Sequence, residues 1–129
     1  MSLNTTWEYN GHKFELDLTD ADTIERSEDA FALMQEEEKN LPKDGKTSVK
    51  IRAYCSLFRK MFDSHFGEGA GNAIIGEKDS ISNCYAAYDS FLAFIAQQAD
   101  ARNNFAKTIN NKYTNRAQRR AANRKNERV

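Results

Sequence analysis

Side chains able to carry acid, base, nucleophile or metal chemistry are sparse in this chain, and they do not converge along it. Of the two histidines, His65 has no carboxylate or cysteine at ligand spacing. It falls in the last turn of a predicted helix, where an imidazole can cap the negative helix end. His12 adjoins a predicted turn, by default a surface position. Cys55 and Cys84 are widely separated, without a CxxC pair, and each sits on the apolar face of a predicted helix. Buried free thiols are expected there, not a disulfide or a zinc framework. Gly67-Glu68-Gly69-Ala70-Gly71 resembles a phosphate loop in glycine content alone. A phosphate loop follows a buried strand and, in the Walker form, ends in Lys-Ser/Thr, whereas these glycines follow a helix and lead into Asn72-Ala73-Ile74-Ile75-Gly76, a turn and a short apolar plug. No nucleophile is paired with a base, and the carboxylates lie on solvated faces. The expectation is a protein with no catalytic residues, no metal and no cofactor: an interaction module and not an enzyme.

The elements that position these residues are read from periodicity. Thr47 to Gly67 carries Ile51, Tyr54, Cys55, Phe58, Met61, Phe62 and Phe66 at i, i+3, i+4 spacing, the stripe of an amphipathic helix. Each large side chain contributes about 1.5 to 3 kcal/mol on burial, so the stripe needs a partner surface. A second helix supplies one, with Ile81, Cys84, Tyr85, Tyr88, Phe91, Leu92, Ile95 and Ala99 on one face behind a cap at Asp79 or Ser80. These two helices are expected to pack antiparallel across the glycine-rich connection. Thr5 to Leu18 reads as a β-hairpin about Asn10-Gly11, the dipeptide of a type I′ turn. Trp7 and Tyr9 lead in, and Phe14, Leu16 and Leu18 lead out. The ribbon is either a lid on the helical core or a partner-binding edge. Thr19, Asp20 and Asp22 open a further helix with a thin stripe of Ile24, Ala30, Phe31 and Met34. Its run Glu36 to Glu38 is a solvated face or a dock for a basic segment. Leu41-Pro42 and Gly45 end it.

The expected fold is mainly α: a three-helix core with an N-terminal β-hairpin (α+β) and a basic, flexible C-terminal tail. One domain over 1–113 holds the hairpin 5–18 and helices at about 20–40, 47–66 and 80–112, followed by the tail 114–129. Lys plus Arg and Asp plus Glu number 19 each, yet residues 1–48 hold 5 basic and 12 acidic side chains, residues 49–100 hold 5 and 6, and residues 101–129 hold 9 and 1. That polarity suits head-to-tail self-association, an acidic partner for the tail, or solubility alone. The tail, with Arg116, Arg119, Arg120, Arg124, Lys125 and Arg128, has no apolar residue larger than Ala before Val129 and orders only against a partner. The N-terminus has no leader pattern, and no stretch approaches the ~18 apolar residues of a membrane span, so a soluble cytoplasmic protein is expected.

The blocks WEYNGHKFELDLTDADTIERSEDAF, NLPKDGKTSVKIRAYCSLFRKMFDSHFGEGAGNAIIG and YTNRAQRRAA resemble a family of small tail-region proteins of siphophages and prophages of Gram-positive bacteria. Together they cover 72 of the 129 residues, spread from residue 7 to residue 122. Members look like tail assembly chaperones. The resemblance implies a non-enzymatic role in the host cytoplasm: binding the tape measure protein, keeping its long helices soluble and helping tail tube subunits polymerise around it. The residues that suit this role are Trp7, Tyr9, Phe58, Phe62, Tyr88 and Phe91, as a groove between the hairpin and the aromatic helices, although stripes at this spacing also form ordinary core. Arg116, Arg119 and Arg120 suit an acidic partner or a neighbouring copy. Two other readings stand. NRAQRRAANRKNER has the spacing of arginine-rich peptides that grip RNA, against which the acidic remainder repels phosphates and the tail offers no stacking ring. The other is a structural protein of the tail or of head completion that stays in the virion.

Overall fold

The computed structural model of the protein describes residues 3–127, with side chains described through residue 122. The elements in chain order are β1 (Thr6–Tyr9), β2 (His12–Glu15), α1 (Ala21–Glu38), α2 (Thr47–Phe66), α3 (Ala70–Ile75) and α4 (Ile81–Glu127). The chain divides into two units, Met1–Gln98 and Ala99–Val129. The first unit ends at Gln98, within α4. Among the described residues, Gln98 is the last buried side chain of α4.

The hairpin turns at Asn10 and Gly11, whose φ angles of 52° and 77° are both positive, as a type I′ turn requires. Trp7 stands opposite Phe14, and Tyr9 opposite His12, so the rings share the inner face. The ladder is shorter than the expected 5–18, since β2 stops at Glu15. The physical reason lies in α4: the Gln98 side chain accepts from the Leu18 amide at 2.5 Å and donates to the Leu16 carbonyl at 2.5 Å. The Leu16 amide still donates across the hairpin to Thr5 O at 2.8 Å, but the Leu16 carbonyl and the Leu18 amide go to the buried Gln98 side chain, which pulls Leu16 and Leu18 into the core. Trp7 plugs the same core. Its indole donates to Ser90 Oγ at 3.1 Å, and its ring lies 5.1 Å from Phe91 and 5.7 Å from Phe62.

Helix α1 begins where Asp20 accepts from the Thr23 amide at 3.0 Å, and the Thr23 hydroxyl, donating to the same carboxylate at 2.8 Å, together with that amide holds the Asp20 carboxyl below the usual carboxylate range. It runs antiparallel to α2, with Ser27 meeting His65 and Glu37 meeting Lys60. Helix α2 stops at Gly67, whose φ of 104° suits glycine and whose amide bonds Asp63 O at 2.7 Å.

The expected antiparallel packing of the two aromatic helices is overturned. Phe58 meets Tyr85 and Tyr88, then Phe62 and Phe66 meet Phe91, so the paired positions ascend together and α2 runs parallel to the first part of α4. The connection makes this possible by folding back along α2. The expected apolar plug is the short helix α3, with Ile74 and Ile75 buried. A Cβ at Gly71 would stand 2.6 Å from Arg59 Cα, so only glycine allows α3 this close to α2. Arg59 then grips the returning chain, donating to Gly76 O at 2.9 Å, Lys78 O at 3.0 Å and Asp79 Oδ1 at 2.6 Å. Helix α4 consequently starts beside the first half of α2.

Described by itself, the second unit is helix throughout its described length. Residues 114–127, expected to order only against a partner, belong to this helix. Neither Gly nor Pro occurs beyond Gly76, and Ala, Arg, Gln and Lys all favour helix. The side chains of Arg124 and Lys125, and the whole of Arg128, lie outside the described residues. Among the described residues no helix is long and apolar enough to cross a membrane.

Two substitutions test this architecture. Gly71→Ala should cost about 1 to 3 kcal/mol in urea unfolding, because backbone and not a flexible side chain stands in the way. Gln98→Leu should cost a similar ~1 to 3 kcal/mol by stranding the Leu16 carbonyl, and should open the hairpin to limited proteolysis first.

Candidate functional site

Of the chemistry-bearing side chains, His65, Cys55 and Cys84 end in the interior, while His12 is exposed on the hairpin. His65 is buried, not exposed as a helix-end cap. Its Nδ1 lies 3.0 Å from Met61 O, an obligate acceptor, so Nδ1 carries the proton. Nε2 then accepts from Ser27 Oγ at 2.8 Å. Phe31 and Phe91 each meet the imidazole edge-on at 4.9 Å. Burial pushes the imidazole below its ordinary value; the bond to Met61 opposes this, and the Arg26 charge reinforces it. The ring is therefore a neutral core member, sealed from solvent together with Ser27. Cys55 and Cys84 are buried free thiols in contact with one another. Burial first, and the neighbouring Cys55 second, push the Cys84 thiol up to about 12. It stays protonated at neutral pH. At Asp79 the Arg59 hydrogen bond, with help from Arg52, holds the carboxyl below the usual range. That pair locks the α3–α4 connection. Among the described residues no three His, Cys, Asp or Glu side chains gather at metal-binding separation.

The groove expected between the hairpin and the aromatic helices is filled. Trp7, Phe62 and Phe91 are core residues, stacked on one another and closed to a partner in this conformation, while Phe58, also buried, has an edge on a different face. Tyr9 and Tyr88 are half-buried. Arg116, Arg119 and Arg120 are exposed on α4, within the second unit.

An open groove does exist, on a different face. It lies between α1, α2 and the first part of α4, encloses about 300 Å³, and is lined by Phe31, Met34, Leu57 and Phe58 with Tyr54, Tyr85 and Tyr88. Glu38 and Gln35 stand at its α1 edge. Tyr85 is 51% exposed, a large ring left uncovered by its own chain. Burial, then the Glu38 carboxylate, raise the Tyr88 phenol above its ordinary value, so this hydroxyl is a neutral donor beside an acid. Helix position alone does not separate these rings from the core set, since both lie on the same stripes. The available signal is chemical. The stripe members with a hydroxyl, Tyr54, Tyr85 and Tyr88, line the open side, while Phe62 and Phe91 are fully enclosed.

In the second unit, Phe105, Ile109 and Tyr113 are exposed at 43%, 54% and 67%. Ile109, Tyr113, Lys112 and Arg116 border a shallow hollow of about 230 Å³ on the helix surface.

Compared with known proteins, residues 10–123 match the model of a family described as a family of unknown function (DUF6673). Neither the curated proteins nor the solved structures contain a match to the chain.

The buried neutral His65 has a pH signature. Its folded value lies below the unfolded one, so the unfolded chain binds the extra proton. Stability is therefore full above about pH 6.5 and declines as pH falls through the window beneath it, by at most about 1.4 kcal/mol per pH unit. Urea unfolding between pH 7.5 and 5.5 measures the decline. His65→Gln should flatten it, and equal slopes in both proteins contradict the assignment.

Proposed function

The chain belongs to this family of unknown function, and from its surface we propose that it is a non-enzymatic assembly protein, a siphophage or prophage tail assembly chaperone. In this reading it works in the host cytoplasm. It holds amphipathic helices of a tape measure protein while tail tube subunits polymerise around that protein. The observation that carries the reading is the open aromatic groove between α1, α2 and the first part of α4. The three sequence blocks that resemble the tail-region family support it; they hold the hairpin, the first half of α1, α2 and α3, and a stretch of α4 in the second unit.

A groove of this kind accepts the apolar face of a helix, reading side chains at i, i+3 or i+4, and i+7. Phe31, Met34, Leu57 and Phe58 form the apolar floor. Tyr54, Tyr85 and Tyr88 add broad ring contact at small entropic cost and keep a hydroxyl for the client's polar edge. Glu38 favours a client with Lys or Arg flanking its apolar stripe. Such a grip is passive: it withdraws apolar area from water and is released when the tube offers a larger surface.

The test is a titration of purified tape measure helix fragments against the full chain, followed by fluorescence anisotropy. Tyr85→Glu should weaken binding by about tenfold or more, as loss of a central aromatic anchor does, with helicity unchanged because this ring already faces solvent. Fragments that bind both proteins equally, or neither, contradict the proposal.

A further inference from the structure

Residues 105–122 of α4 carry five cations, Lys107, Lys112, Arg116, Arg119 and Arg120, and no carboxylate. Their placement around the helix is uneven. At about 100° per residue, Phe105, Ile109 and Tyr113 span an arc of roughly 80°, and Arg116 and Arg120 fall inside it. Lys112 and Arg119 lie within about 40° of its edge, whereas the opposite side is Asn, Thr, Gln and Ala with Lys107. Apolar groups and cations thus share one face, and that face is open in the second unit. A partner must supply apolar area and negative charge together.

We propose that this face seats in the groove between α1, α2 and the first part of α4 of a second copy of the chain. The groove has the required chemistry. Its floor is apolar, Glu38 stands on its edge, and α1, which forms that edge, carries seven carboxylates and a single arginine. The fit has two sides. Phe105, Ile109 and Tyr113 meet the rings of the groove, and the hollow bordered by Ile109, Lys112, Tyr113 and Arg116 receives the exposed Tyr85 ring as a knob enters a hole. Pairing two α4 faces with each other would set cations on cations. A nucleic-acid backbone would satisfy the arginines and leave Phe105 and Ile109 in water, while α1 repelled the phosphates. A copy of this chain satisfies both demands. The contact joins two different patches, so it closes by reciprocal exchange or propagates into longer assemblies. It needs no tape measure protein, and its failure leaves client binding untouched.

Sedimentation velocity on the full chain alone, from low micromolar to several hundred micromolar, tests the proposal. Association that grows with concentration at low salt is expected. Raising salt, or the triple change Arg116→Glu, Arg119→Glu and Arg120→Glu, should raise the dissociation constant by about tenfold, the combined effect of three exposed ion pairs. These positions are solvent-facing, so circular dichroism should not change. Mixing the triple variant with a Glu28→Lys, Glu38→Lys variant should restore association between the two species, because the acidic α4 face then finds a basic groove edge. A protein that stays monomeric throughout overturns the proposal. So does association that ignores both salt and these substitutions, or a triple variant that loses only RNA binding in a gel shift.

Discussion

Gly71 lets the backbone of α3 lie directly on that of Arg59, and most of the architecture descends from this approach. A side chain at that point would push α3 away from α2. With α3 in place, the Arg59 guanidinium reaches three groups of the returning chain, two carbonyls and the Asp79 carboxylate. The chain thereby reverses along α2 before α4 begins. Helix α4 must then run in the same direction as α2, and the rings Phe58, Phe62 and Phe66 meet Tyr88 and Phe91 in ascending order. The gap at their centre is closed by Trp7 from the hairpin and by Phe31 from α1.

Buried polar groups supply uniqueness where rings alone would permit sliding. An aromatic core is tolerant of register, since large flat side chains can stack in several ways. Gln98 and His65 are not tolerant. Gln98 satisfies the Leu16 carbonyl and Leu18 amide together, so the hairpin exit has one position on α4. His65 with Ser27 and Met61 fixes α1 against α2 through a single tautomer. Either bond set, half made, would leave an unpaired polar group in a low-dielectric interior.

The outer surface divides its labour between ring and charge. The open side of the α1, α2 and α4 groove is lined by tyrosines, and α1 beside it is strongly acidic. In the second unit cations and apolar groups share one helical face. The two contacts proposed above, with a client helix and with another copy, rest on one physical device, an apolar contact whose orientation is set by charges around it.

Much of this was legible along the chain. Asn10-Gly11 marks the turn, Asp20 the α1 cap, Pro42 and Gly45 the break, and the i, i+3, i+4 stripes mark α2 and α4, because each is a property of neighbouring residues. The buried thiols follow from the stripes on which they lie. The direction of α4 relative to α2 was not legible, since it depends on Gly71 meeting Arg59 across the fold. Nor was the burial of His65, which sits at a helix end in sequence but beneath Phe31 and Phe91 in space. The division between ring as core and ring as groove was hidden for the same reason. Phe62 and Tyr85 both lie on helical stripes, and only the arrival of Trp7 from the hairpin beside Phe91 encloses one and leaves the other open. The sequence by itself determined which segments form helix or strand and which faces must be covered, because periodicity and capping act over a few residues. Only the tertiary structure decided which surface covers which, because that choice is made by close approaches and buried bonds between residues far apart in the chain.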